Sequence, residues 1–293
     1  VRAVYMPDRL DGLWDILSEH PDGALFAGAT DLLVKIRNGR LDPPCLIGLE
    51  RLEPLRGVRV SGDEVFIGAC TTHATLLTHP VIREDFPILA TAISVLGSPP
   101  VRNMGTIGGN LTTASPAGDA LPPLYVLGAD VEIRRREGSR RMGVAQFIRG
   151  PGETALLPGE IVSGIWLRKD QGFHIHHYEK VGQRKAQAIA VVSLAALLKV
   201  NRDLTVEAAR FAWGSAGPTV VTSSDADGAL VGKPLCMEGL ETIAALGRQA
   251  VSPIDDIRAS AAYRQTVAGN LVLRLSLYSS GANPYSKAQR SKT

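Results

Sequence analysis

The chain has 293 residues, 45% of them hydrophobic and 21% charged, with a formal net charge of +3. That length can bury a large core, in one large domain or two modest ones, and the composition is that of a globular protein rather than a collagen or a disordered chain. So small a charge, with only 5% aromatic residues, speaks against a nucleic-acid binder built on basic patches or stacking platforms.

In chain order, Leu13, Ile16 and Leu17 give a helix face after Asp11. Ala24 to Ala27 is an apolar run that stops at Gly28, the pattern of a buried strand entering a turn. Leu32, Leu33 and Ile36 recur at helical spacing, with Asp31 as the expected cap and Thr30 beside it. A short strand is expected around Cys45 to Leu49. Val58 and Val60, then Val65 to Gly68, predict a hairpin around Gly62 and Asp63. Thr71 or Thr72 would cap a helix over His73 to Leu77, and Phe86 to Leu96 reads as a helix ended by Gly97 and Pro99-Pro100. A glycine-rich segment follows at once, then a short helix after Asp119. Ala129 to Ile133 alternates as an exposed strand does, and Ile161-Val162 leads into a strand at Ile165 to Leu167.

Beyond Gly172, a strand is expected at His174 to Tyr178 and another at Ala208 to Gly214. Ala186 to Val200 is long, small and apolar, and its periodicity does not separate a core helix from a sheet-core strand. Helices are expected at Glu238 to Gln249 and Ser260 to Leu277, ahead of a polar tail from Ser279. The whole reads as α+β in three lobes, divided at 1–54, 55–171 and 172–278, with a flexible tail at 279–293.

Several chemistries find little support. Arg134-Arg135-Arg136 and Arg140-Arg141 flank Glu137 to Ser139, as in a solvated hairpin turn. Cys45, Cys70 and Cys236 lack CxxC spacing, so an internal zinc or iron–sulfur site is not expected. His174, His176 and His177 lack a carboxylate cluster, and no serine sits in a G-x-S-x-G elbow. The first residues lack a secretory h-region and no apolar stretch is long enough to span a membrane. The expected location is therefore the cytoplasm.

Two glycine segments carry the strongest signal. They are Phe26-Ala27-Gly28-Ala29-Thr30-Asp31 and Gly105-Thr106-Ile107-Gly108-Gly109-Asn110. Neither fits GxGxxG or the P-loop pattern. Both suit a diphosphate, because glycine lets backbone N–H groups converge on an anion, while Thr30, Thr106 and Asn110 add side-chain donors. The helix start near residue 31 would add its unpaired N–H groups.

The chain resembles the FAD-binding medium subunit of molybdenum hydroxylases, the family of xanthine dehydrogenase and aerobic carbon monoxide dehydrogenase. The resemblance runs end to end. It includes Ala27 to Asp31, Val101 to Leu111, Ala117-Gly118-Asp119, Pro122-Pro123, Lys180 to Ala186 and Asp256 to Arg264. It implies a PCMH-type FAD-binding unit of two α/β subdomains. A C-terminal α+β domain of the carbon monoxide dehydrogenase flavoprotein type would follow.

The implied diphosphate contacts are Ala27, Gly28, Ala29, Thr30 and Asp31, with Thr106, Gly108, Gly109 and Asn110. Asp119 is implied on the adenosine side, and Ile161, Leu167 and Lys185 near the isoalloxazine. The resemblance also implies two partners, a large subunit with the molybdenum cofactor and a small one with two [2Fe–2S] clusters, as a dimer of heterotrimers. Electrons would pass through FAD to NAD⁺, oxygen, quinone or another carrier. Gly-Ala-Thr-Asp stands where some relatives carry Gly-Gly-His-Ser, which points away from the carbon monoxide branch. The chain also lacks the cysteine-bearing insertion of the hydroxybenzoyl-CoA reductases. A stand-alone FAD reductase and a non-catalytic nucleotide-binding scaffold are the alternatives.

Overall fold

The computed structural model describes residues 2–169, 171–184 and 187–279. The N-terminal lobe comprises β1 (Ala3–Tyr5), α1 (Leu10–Glu19), β2 (Ala24–Phe26), α2 (Leu32–Arg37) and β3 (Cys45–Gly48). Its three strands are parallel, in the order β1-β3-β2. Leu13 and Trp14 of α1 cover Cys45 and Ile47, and Leu52, Leu55, Cys70 and Ile161 complete this small core.

The second lobe opens with β4 (Val58–Ser61) and β5 (Glu64–Gly68), followed by six short helices. These are α3 (His73–Thr78), α4 (Pro80–Asp85), α5 (Pro87–Ser94), α6 (Pro99–Met104), α7 (Ile107–Thr113) and α8 (Leu121–Val126). Then come β6 (Asp130–Arg135), β7 (Gly138–Gly143), α9 (Val144–Phe147), β8 (Ile148–Gly150), β9 (Glu153–Thr154) and β10 (Ile161–Arg168). The main sheet is ordered β4-β5-β10-β6-β7, and β8 pairs only with β9. Val65, Ile67, Val131, Ile133, Ile165 and Leu167 pack its inner face under the helices.

The third lobe contains β11 (Ile175–Val181), β12 (Val192–Val200), β13 (Val206–Gly214), β14 (Val221–Thr222), α10 (Ser224–Ala229), α11 (Met237–Ala250) and α12 (Ala261–Leu273). Its strands form one antiparallel sheet in sequence order. One face of that sheet, with Tyr178, Ala195, Leu197 and Ala212, joins the core of the second lobe. The other face lies under α11 and α12, where the buried Trp213 donates its indole N–H to the Ala268 carbonyl at 3.0 Å. The fold is thus α+β, with the second and third lobes sharing one apolar layer.

Several expectations change here. Pro99-Pro100 does not simply end a helix; Ser98 caps α6, and the prolines occupy its first turn, where a missing N–H is harmless. The second glycine segment is itself mostly helix, α7, with Thr106 as its cap. The open stretch before Val200 is the central strand β12. Ala129 to Ile133 falls in an interior strand with Val131 and Ile133 buried, rather than an exposed one. The arginine-rich run is a hairpin whose charges meet acids: Arg136 with Asp15, Arg135 with Glu137, Arg140 with Glu160 and Arg141 with Glu64. The expected tail lies outside the described residues beyond Ser279.

Candidate functional site

Where β2 ends, the chain turns against the last residues of α6. A Cβ added at Gly28 would stand 1.6 Å from the Met104 carbonyl oxygen, so only glycine fits. The two glycine segments, far apart in the chain, meet at this point. Ala29 follows with φ 54°, a left-handed conformation that costs about 1–2 kcal/mol for a residue with a Cβ. Alternation of right- and left-handed backbone turns successive N–H groups toward one concavity. Among the described residues, none accepts a hydrogen bond from the backbone N–H of Gly28, Ala29, Thr30, Asp31 or Leu32. Asp31 precedes α2 but does not cap it with its side chain. Its carboxylate instead pairs with Lys35 at 2.7 Å and accepts a hydrogen bond from the Thr113 hydroxyl at 3.3 Å.

The second segment is built differently. Its N–H groups are already engaged: Ile107 donates to the Thr71 carbonyl, Gly108 to the Ala69 carbonyl and Gly109 to the Thr106 hydroxyl. Gly108 is required by packing, because a Cβ there would lie 2.5 Å from that of Ala69. Gly109 is less crowded, its hypothetical Cβ pressing only on Thr106 Oγ1, at 3.1 Å. Asn110 keeps a buried side-chain oxygen without a hydrogen-bond partner in the structure.

Both segments line one cleft of about 430 Å³, within the range of small-ligand sites. Ala27, Gly28, Ala29, Thr30, Asp31, Thr106, Gly108, Gly109, Asn110 and Ile161 all border it. Apolar side chains from Leu49, Cys70, Leu156, Ile161 and Val162 surround one part, and burial pushes the Cys70 thiol up to about 12. Glu160 stands among them, its carboxylate held below the usual range by Arg140, which donates to both oxygens at 2.9 and 2.8 Å. His73, Leu96 and Val101 border another part, and the half-exposed Lys35 lies with Thr112 and Thr113 along the rim.

Two expected residues lie elsewhere. Leu167 is buried in the core under the helices, because a bulge between Val162 and Gly164 resets the alternation of β10 after Ile161. Asp119 is buried between the second and third lobes, where Lys180 binds its carboxylate at 2.8 Å and the Tyr178 hydroxyl donates to it at 3.3 Å. Burial raises the Asp119 carboxyl from its ordinary value while the Lys180 ammonium pulls it back. Lys180 also donates to the Val95 carbonyl at 2.7 Å, beside cleft-lining Leu96. Lys185 lies outside the described residues. The histidines of β11 are tied into the third lobe, His176 to the Phe173 carbonyl and His177 to Tyr278.

Sequence reasoning missed His73, Leu96, Val101, Glu160 and Val162. A signal existed for His73, which directly follows the Thr72 cap of α3. The others would have required knowing how α5, α6 and β10 meet. No helix among the described residues is long and apolar enough to cross a membrane.

Residues 1–167 match the FAD binding domain in molybdopterin dehydrogenase, and residues 177–278 match the CO dehydrogenase flavoprotein C-terminal domain. The chain is 31% identical to the nicotinate dehydrogenase FAD-subunit of Eubacterium barkeri, covering 89% of this chain and 90% of that one. It is 29% identical to the carbon monoxide dehydrogenase medium chain of Afipia carboxidovorans, covering 86% and 87%. The structure of quinoline 2-oxidoreductase from Pseudomonas putida 86 superposes with a TM-score of 0.91 at 27% identity, covering 96% of this chain and 98% of that one. The chain belongs to the family of FAD-binding medium subunits of the molybdenum hydroxylases, oxidoreductases related to xanthine dehydrogenase.

Proposed function

We propose that this chain holds FAD in the cleft between its first two lobes and acts as the electron-transfer subunit of a multisubunit molybdenum-dependent hydroxylase. The carrying observation is the run of unengaged N–H groups from Gly28 to Leu32 on one wall of that cleft. Such donors suit a diphosphate, and the one carboxylate among them is already paired with Lys35. Thr30 and Thr106 add hydroxyls, Asn110 its amide, and Gly109 leaves room for the cofactor to approach. The apolar walls around Leu49, Ile161 and Val162 suit a flat ring system. Asp119 serves the adenosine side through Lys180, which braces the wall beside Leu96. Leu167 packs in the same core as Val162 and supports it from below, and Lys185 completes the set.

When bound, FAD supplies the exchange between one-electron donors and a two-electron acceptor. This chain's residues hold it and shield it, and require no acid–base pair of their own. A large subunit carries the molybdenum cofactor and the oxidation of an organic substrate. A small subunit carries two [2Fe–2S] clusters and delivers the electrons. The external acceptor is NAD⁺, oxygen, a quinone or another carrier. The assembly is a dimer of heterotrimers in the cytoplasm.

The test is purification of the native complex. Co-purification with a molybdenum subunit and an iron–sulfur subunit is expected, with flavin released on denaturation. A yellow chain that turns over a small-molecule substrate alone would identify a self-sufficient reductase instead. A colourless chain that takes up no FAD would identify a scaffold.

A further inference from the structure

His73 is the first residue of α3, yet its ring is turned inward and is only 2% exposed. Among the described residues neither ring nitrogen meets a hydrogen-bond partner, and Nδ1 is fully buried. An unpaired polar atom in such a place carries a desolvation cost, and native proteins keep few of them. The ring borders the cleft at the point where the two glycine segments meet. A Cβ added at Gly105 would lie 3.4 Å from both His73 Cδ2 and Thr30 Oγ1, so ring and hydroxyl are neighbours across that glycine. The backbone holds this arrangement: the His73 N–H donates to the Gly105 carbonyl at 2.9 Å. Arg102, engaged with the Leu96 and Gly97 carbonyls, adds a positive charge nearby.

We propose that His73 is a cofactor-binding residue, donating the N–H of Nε2, the ring nitrogen that is not fully buried, to a diphosphate oxygen of FAD beside Thr30. This rests on the FAD reading of the cleft and adds a residue to it. The ring supplies one side-chain donor to an anion otherwise met by backbone N–H groups. It does so as a neutral group, since burial, with Arg102 second, lowers its pKa to about 4. Once the bond forms, an N–H that lacks a partner in the protein is satisfied.

The test uses the full chain stripped of flavin and titrated with FAD, ADP and riboflavin. Wild type is expected to bind FAD and ADP. His73→Phe keeps the ring shape without the donor, and should weaken both on the order of ten-fold while leaving riboflavin unchanged. A folded His73→Phe chain that binds FAD and ADP like wild type overturns the proposal. So does a loss confined to riboflavin, which lacks the diphosphate. A wild-type chain that binds neither FAD nor ADP would instead bring down the reading of the cleft itself.

A second measurement needs no variant. In wild-type chain labelled with ¹⁵N-histidine, ADP should slow exchange of one His73 ring N–H and shift its resonance. A His73 signal indifferent to ADP overturns the proposal even if the phenylalanine variant fails to fold.

Discussion

The two glycine segments look alike in sequence and differ in use. In the first, one glycine permits a close backbone approach and a left-handed alanine follows, so the next N–H groups remain unengaged. In the second, the N–H groups are engaged by Thr71, Ala69 and Thr106, and glycine serves to bring α7 against Ala69. One segment offers backbone donors; the other offers a wall and side chains, its own backbone donors being engaged. Glycine content by itself therefore says that a backbone comes close to something, without saying whether that is a ligand or another part of the chain.

Substitutions can break this comparison. The largest effect is expected at Gly28→Ala, because the new methyl would overlap the Met104 carbonyl and backbone must move. A loss of about 3 kcal/mol or more in chemical unfolding is predicted, together with loss of FAD. Wild-type stability would mean that the segments do not meet there.

The next effect is a pH dependence at their junction. His73 titrates at about 4 in the folded chain against an ordinary 6.5. The unfolded chain therefore takes up its proton first as pH falls. Stability from this group is present in full above about 6.5 and is lost as pH falls toward 4, by up to about 3 kcal/mol. Subtracting the unfolding profile of His73→Phe from that of wild type isolates it, and a flat difference would contradict the buried neutral ring.

Smaller effects separate the segments further. Thr106→Ala removes the cap of α7 and should cost about 1 kcal/mol of stability. Thr30→Ala removes a side chain that bonds nothing else among the described residues, so it should weaken FAD binding and leave the unfolding midpoint in place. Equal effects on both readouts would erase the distinction. The smallest shift is expected at Ala29→Gly. Relief of the left-handed conformation there should raise stability by about 1 kcal/mol or less.

Much of this was legible in the residues. The strand that stops at Gly28, the hairpins and the long C-terminal helices follow from apolar runs and punctuation. The helical nature of α6 and α7 is hidden in the sequence, because prolines and glycines read as breakers while Ser98 and Thr106 cap the turns that contain them. Asp119 illustrates another limit. The resemblance implied a ligand contact for it, whereas its protein partner Lys180 lies on β11, brought near only by the packing of the third lobe. On β10, simple alternation would have put Ile161 and Leu167 on one face, but one bulge sends Ile161 to the cleft and Leu167 to the core.

The most direct test of the account is FAD titration of Gly109→Val beside wild type, with circular dichroism as the control for folding. Gly109 borders the cleft and a Cβ there would press only on Thr106 Oγ1, at 3.1 Å, so a few tenths of an ångström of give in that hydroxyl lets the fold take the valine while it occupies space the cofactor needs. A folded chain that no longer retains FAD is the expected result. A folded Gly109→Val chain that binds FAD with wild-type affinity would place the cofactor elsewhere and contradict the assignment of this cleft.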